Sequence, residues 1–203
     1  MDPFRPLIWR FESPEEHWAE HDRRQINYWL ARPPSERLNQ ANVLRERRQG
    51  GDALREPFER FCRALRDAGA DFVIVGSEAV AFHGVPRYSQ DFDVLVRRTA
   101  ANLFRVKAAL ESTGSAGAVA ALDPEVWMKS GAVIRIGDPP SQIDILLGVT
   151  GVTYEQASSG ASEGHYGDLV VRFMGREALI ANKLAVGRPK DLADVAALRL
   201  AGG

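Results

Sequence analysis

Within residues 72–96, FVIVGSEAVAFHGVPRYSQDFDVLV, two acids interrupt what is otherwise a buried strand, and that conflict narrows the folds open to the chain. The stretch opens with Phe72, Val73, Ile74 and Val75, an aromatic and β-branched run that predicts a buried strand. Gly76 and Ser77 break it, and Ala79, Val80 and Phe82 then recur at the spacing of a short helix ended by Gly84. A second strand is expected from near Gln90, reading Asp-Phe-Asp-Val-Leu-Val. Strand side chains alternate, so Phe92, Val94 and Val96 face the core while Asp91 and Asp93 share the opposite face.

Two carboxylates on one face lie roughly 6.6 Å apart along a strand rising about 3.3 Å per residue. Both can therefore reach one cation. A third acid is offered by Gln-Ile-Asp-Ile-Leu-Leu, where Ile143, Ile145 and Leu147 face the core and Asp144 turns away from it. At about 5 Å and an effective dielectric near 20, each pair of bare charges would repel by about 3 kcal/mol. Such a cluster calls for a divalent ion or a shifted pKa to compensate it.

Gly-Ser at the head of a short helix, Asp-X-Asp on the next strand and a lone Asp on a later one resemble the signature of the DNA polymerase β nucleotidyltransferase superfamily. Within it the chain is similar to the AbiEii-like toxin and minimal nucleotidyltransferase branch. The likeness runs over residues 71–198 and includes the tail GREALIANKLAVGRPKDLADVAAL. It implies an α/β (α+β) nucleotidyltransferase fold: a mixed twisted β-sheet with packed helices, preceded here by an N-terminal helical extension. It also implies nucleotidyl transfer from an NTP to an RNA hydroxyl, a tRNA end in particular, or to a protein hydroxyl. Mg²⁺ or Mn²⁺ would be the cofactor, ATP or another NTP the substrate, and an antitoxin a partner.

On that resemblance Asp91, Asp93 and Asp144 are the catalytic residues: Asp91 and Asp93 bind the metals, and Asp144 completes the nucleophile-side metal or acts as base. Gly76 lets the backbone approach phosphate, and Ser77 sits where free N–H groups and the helix dipole attract it. Arg87, Lys183 and Arg188 are candidates for triphosphate contact, and Asp191 and Asp194, three apart on one helical face, for nucleotide binding or for positioning Lys183. Lys183 ranks above either aspartate for a direct role. Glu78 departs from what a triphosphate site favours unless it points away, and Gln90 stands where related sequences often carry a basic residue. The rival expectation is a non-catalytic, antitoxin-like protein of the same fold that binds nucleotide or a partner. Clustered acids argue against it, since pure binding gains nothing from them.

The chain's 203 residues suffice for one well-buried domain with an extension, expected over 52–203 and 1–51. A net charge of −1 gives no overall nucleic-acid signature, so any such contact needs a local basic patch. Cys62 is the only cysteine, which excludes an internal disulfide and a cysteine-rich zinc site. No secretory signal pattern or membrane-length apolar run is present, and a cytoplasmic location is expected.

Ser13-Pro14-Glu15-Glu16 supplies a helix start, and Pro33-Pro34 stops that helix. A second helix is expected over 35–49, with Leu38, Ala41 and Leu44 on one side and Arg45, Arg47 and Arg48 complementing the dipole at its end. His17 and His21, four apart, fit a solvated surface better than a metal site. The leader's EHDRRQINYWL and PPSERL weakly resemble small helical proteins that accompany such transferases. A helix is expected over 53–68, another capped by Thr99 with Leu103, Phe104, Val106 and Leu110 toward the sheet, and a hairpin from 133–136 into the Asp144 strand. Residues 148–167 are expected to form a loop carrying Ser158, Ser159 and His165, none of them catalytic. A last strand over 169–173 precedes two helices separated by Gly187-Arg188-Pro189.

Overall fold

The protein is described from a computed structural model covering residues 27–49, 55–84, 86–87, 89, 91–114, 123–130, 133–137, 142–166 and 168–200. Its centre is a mixed six-stranded sheet in the order β3-β4-β2-β1-β6-β5. The strands are β1 Phe72–Ile74, β2 Asp91–Val96, β3 Ile134–Ile136, β4 Gln142–Leu146, β5 Ser162–Tyr166 and β6 Leu169–Phe173. β1 pairs antiparallel with β2 and parallel with β6, while β2 and β4 run parallel. The helices are α1 Pro34–Gln49, α2 Arg55–Asp67, α3 Gly76–His83, α4 Ala100–Ser112, α5 Pro124–Ser130, α6 Tyr154–Ser159, α7 Arg176–Val186 and α8 Pro189–Leu200. This is the mixed α/β arrangement expected.

Helices cover both faces of the sheet, and the alternation in β2 decides which residues go where. Phe92, Val94 and Val96 join Phe58, Leu65, Leu103 and Val106 of α2 and α4 in one apolar cluster. Phe58 and Phe92 stack with ring centroids 4.7 Å apart. Leu95, on the acids' face, joins Val73, Val75, Ala157, Leu179 and Leu198 in a second cluster under α6, α7 and α8. Asp91 and Asp93 therefore lie at the uncovered end of a face whose remainder is sealed.

The elements at the site's borders have local causes. Thr99 caps α4 by accepting from the Asn102 N–H, as expected. Gly187, at φ 70°, closes α7 in the left-handed conformation with its N–H on the Lys183 carbonyl. α1 is fastened to α3 by Arg37, whose guanidinium donates to the carbonyls of Ala81 (3.2 Å) and Phe82 at the end of α3. Leu38 and Ala41 of α1 are buried in the same cluster as α2. Among the described residues no helix is long and apolar enough to cross a membrane.

Two expectations are corrected. The loop expected over 148–167 is interrupted by α6 and edge strand β5, so Ser158 and Ser159 are helical and His165 pairs with Val170 of β6. Thr153 and Gln156 make a reciprocal capping box at the start of α6. β5 reads Ser-Glu-Gly-His-Tyr, without apolar alternation, and is held as a strand by its pairing with β6. Phe104 does not face the sheet but is 58% exposed, since a residue adjacent to buried Leu103 points about 100° away around the helix. α5, opened by the Asp123 carboxylate accepting from the Glu125 N–H, was not foreseen. The helix from Ser13, His17, His21 and Gln90, and the side chains of Leu44, Arg45, Arg47 and Arg48, lie outside the described residues, apart from helical residues 27–30.

Candidate functional site

The parallel pairing of β2 with β4 sets Asp93 directly beside Asp144. With Asp91 two residues earlier on the same face, one carboxylate oxygen from each acid lies within 4.8 Å of the others. Each acid is held differently. Asp91 accepts a 2.6 Å hydrogen bond from the Ser89 hydroxyl. Asp144 is forked by Arg135, with Nε on Oδ1 at 3.0 Å and the terminal nitrogen on Oδ2 at 3.1 Å, and also receives the Gln142 amide at 3.0 Å. Burial, then the charges of Asp91 and Asp144, push the Asp93 carboxyl up to about 7 against the pull of Lys183 and Arg87. The donors are all carboxylate oxygens, which suits a hard divalent ion such as Mg²⁺ or Mn²⁺. The raised Asp93 pKa reflects burial first and the neighbouring acids second, and a bound divalent ion would offset both.

The turn between β1 and α3 closes one side of this cluster. The Val75 N–H donates to the Asp93 carbonyl at 3.0 Å, and Gly76 then turns the chain at φ 61°. A Cβ at Gly76 would lie 2.0 Å from the Asp93 carboxylate oxygen, so the position has no room for any other residue. α3 starts without a side-chain cap, and the buried Ser77 hydroxyl has no hydrogen-bond partner among the described residues. A helix N-terminus with an unsatisfied hydroxyl beside it is suited to phosphate oxygens. Glu78 does point away: it is fully buried, and its charge, after burial itself, raises the pKa of the Cys62 thiol on α2.

The opposite side is a wall of paired charges on α7 and α8. Lys183 is only 4% exposed, and its ammonium lies 2.9 Å from Asp191 and 3.0 Å from Asp194. Arg87 forks onto Asp194 at 2.9 and 3.1 Å, and Arg188 engages both oxygens of Asp191. Burial works to raise the Asp191 carboxyl, but hydrogen bonds from Arg188 and Lys183 overcome it and hold the group at about 2. Between the Gly76 turn and this wall runs an open cleft bordered by Asp91, Asp93, Ser77, Arg87, Lys183 and Arg188. Leu146, Val149 and Val186 line an apolar stretch of it, beside Asn182, which donates to the Thr150 carbonyl at 2.9 Å.

The structure thus brings together Asp91, Asp93, Asp144, Gly76, Ser77, Arg87, Lys183, Arg188, Asp191 and Asp194. Asp191 and Asp194 spend their oxygens on cations, and Lys183 is as enclosed as they are. Arg135 and Gln142 went unnoticed in the sequence. The hairpin register sets Arg135 opposite Asp144, and the alternation of Gln142 with Asp144 puts both on one face. Those two signals were there to be read.

No family model matches the chain, and no curated protein matches it. Among solved structures it is similar to the antibiotic-resistance factor ANT(2'')-Ia, at 16% identity over 72% of this chain and 81% of that one, with a TM-score of 0.45. A likeness of that size leaves function to be argued from the chain's own residues.

Proposed function

We propose that this chain is a divalent-metal-dependent nucleotidyltransferase of the DNA polymerase β type, moving an NMP from an NTP to an acceptor hydroxyl. The observation that carries the proposal is the convergence of Asp91, Asp93 and Asp144 within 4.8 Å beside an uncapped helix N-terminus and a cation-lined cleft. Asp91, Asp93 and Asp144 hold the metal. When bound, the divalent ion neutralises charge on the transferring phosphoryl group and makes the acceptor hydroxyl a better nucleophile. The chain's residues do the remainder. The first turn of α3, with the Ser77 hydroxyl, receives phosphate oxygens. Gly76 lets that turn approach Asp93 closely. Arg188, more than half exposed beyond its contact with Asp191, is placed to meet the leaving pyrophosphate. Lys183 and Arg87 lower the potential cost of the acids from behind, each fixed by Asp191 or Asp194.

On the AbiEii-like resemblance, the acceptor is RNA, a tRNA end in particular, or a protein, and the setting is a toxin and antitoxin pair in the cytoplasm. Residues 1–51 then act as a helical layer that stabilises the catalytic domain at 52–203. Incubation with each α-labelled NTP, Mg²⁺ or Mn²⁺, and total RNA or cell extract tests the function and identifies the acceptor. Transfer of label that depends on metal and is lost in the Asp91→Ala/Asp93→Ala variant supports it. Nucleotide binding with no label transferred to either acceptor class rejects catalysis and leaves the binding protein of the same fold.

A further inference from the structure

Asp144 differs from its two companions in how much of it is already spoken for. A carboxylate offers about four acceptor positions. Arg135 Nε and the Gln142 amide take two on Oδ1, and the terminal nitrogen of Arg135 takes one on Oδ2. About one position is left, too little for a carboxylate that must also ligate a metal with freedom to choose its geometry. Two of the three bonds belong to the guanidinium, so Arg135 is the partner whose departure would release Asp144. Gln142, buried, would stay and keep the carboxylate oriented.

The two ends of this ion pair are also unequal in exposure. The Asp144 side chain is 9% exposed and that of Arg135 is 63% exposed. β3 is an edge strand of the sheet, with no strand among the described residues paired on its far side. The exposed guanidinium can leave Asp144 by rotating into water, whereas the nearly buried carboxylate needs another cation in its place, and a divalent ion would supply that charge. Arg135 responds to the cluster as a whole: its pKa is raised by hydrogen bonding to Asp144 first and by the charges of Asp144, Asp91 and Asp93. It is the cation that pairs directly with Asp144, while Lys183 and Arg87 act on Asp93.

We propose that Arg135 is a tethered counter-cation of the acid cluster, holding Asp144 while the cluster is metal-free and leaving it when a divalent ion is bound by all three acids. The inference rests on the metal site proposed above. It makes Arg135 the residue that sets how tightly the divalent ion is held: the guanidinium and the ion compete for one carboxylate, and a positive charge a few ångströms from the site also repels the ion. Weak resting affinity would follow, with full occupation of Asp144 requiring the fork to open.

Titration of the full-length protein with Mn²⁺, followed by the electron paramagnetic resonance signal of the free ion, tests this directly. Arg135→Gln removes the charge from an exposed edge-strand position without opening the core. Mn²⁺ affinity is expected to rise about tenfold, the scale of one unit charge a few ångströms away in a partly solvated setting. Arg135→Lys keeps the charge and is expected to stay near wild type. In the Asp144→Asn background, adding Arg135→Gln is expected to raise Mn²⁺ affinity by less than in wild type, because the competition for the contested ligand is gone and only the charge repulsion remains. Affinity that is unchanged or weaker in Arg135→Gln overturns the proposal: Arg135 would then position Asp144 for the metal. That result leaves the metal site itself standing. Absence of Mn²⁺ binding at millimolar concentration in wild type and every variant overturns both.

Discussion

Replacing Asp93 by asparagine in the metal-free protein measures how much the acid cluster strains the fold. Burial, then the neighbouring charges of Asp91 and Asp144, raise the Asp93 carboxyl from 3.8 to about 7. Between those values the folded chain keeps a proton that the unfolded chain has released. Stability therefore falls as pH rises from about 4 to about 7, and stays low above it. A rise of about three units, at 1.36 kcal/mol per unit, sets the penalty at about 4 kcal/mol at pH 8, an upper bound for a partly buried side chain. About 2–3 kcal/mol of this would develop between pH 5 and pH 8. Urea unfolding of wild type and Asp93→Asn in the presence of a chelator reads the effect as a difference, so that other titrating groups largely cancel. The variant should gain on wild type as pH rises, and Mn²⁺ should restore wild type and not the variant. Parallel stability curves for the two proteins from pH 5 to pH 8 would refute the reasoning, because Asp93 would then carry no repulsion to relieve.

Other perturbations probe the frame around the acids. Gly76→Ala combines a left-handed backbone with a Cβ 2.0 Å from the Asp93 carboxylate. It should cost at least about 2 kcal/mol in chemical unfolding and displace Asp93, lowering metal affinity as well. Lys183→Met leaves Asp191 and Asp194 buried with only the two arginines to compensate them, and should destabilise by about 3 kcal/mol or more, seen as a lower Tm. Asp191, held down at about 2 by Arg188 and Lys183, supplies stability that is complete above its ordinary value of 3.8 and fades as pH drops toward 2. Acid unfolding of Asp191→Asn should accordingly be less steep than wild type across that range, by about 2 kcal/mol in total.

How much of this could be read beforehand depended on whether a residue's neighbours were local. Alternation in Asp-Phe-Asp-Val-Leu-Val fixed which side chains of β2 were apolar and which were acid-bearing, and the hairpin expected from 133–136 into the Asp144 strand is seen as the antiparallel pairing of β3 with β4. Thr99, Gly187 and Pro189 marked the ends of α4, α7 and the start of α8 because caps and breakers act within a few residues. The adjacency of β2 and β4 is a different kind of fact. It arises because β1 occupies the other side of β2, and pairing between strands about fifty residues apart leaves no local trace, so only the family resemblance pointed to it. β5 failed for the same reason from the other direction: its strand state belongs to its pairing with β6 and not to its composition. Phe104 was misplaced where adjacency on a helix was taken for a shared face. The network of Lys183, Asp191 and Asp194 was half legible: helical spacing put the two aspartates on one face, but the burial that turns them from ligand contacts into clamps depends on how α8 folds back on α7.

The claim underlying the account is that Asp91, Asp93 and Asp144 act as one cation site. Crystals grown with Mn²⁺ and a non-hydrolysable NTP analogue, with anomalous scattering recorded for the ion, test it most directly. The expected result is an ion bound by oxygens of all three acids, with the analogue's phosphates directed at Ser77 and the first turn of α3 and Arg135 off Asp144. An ordered analogue in the cleft, at saturating Mn²⁺, with no anomalous peak between the three carboxylates would contradict it.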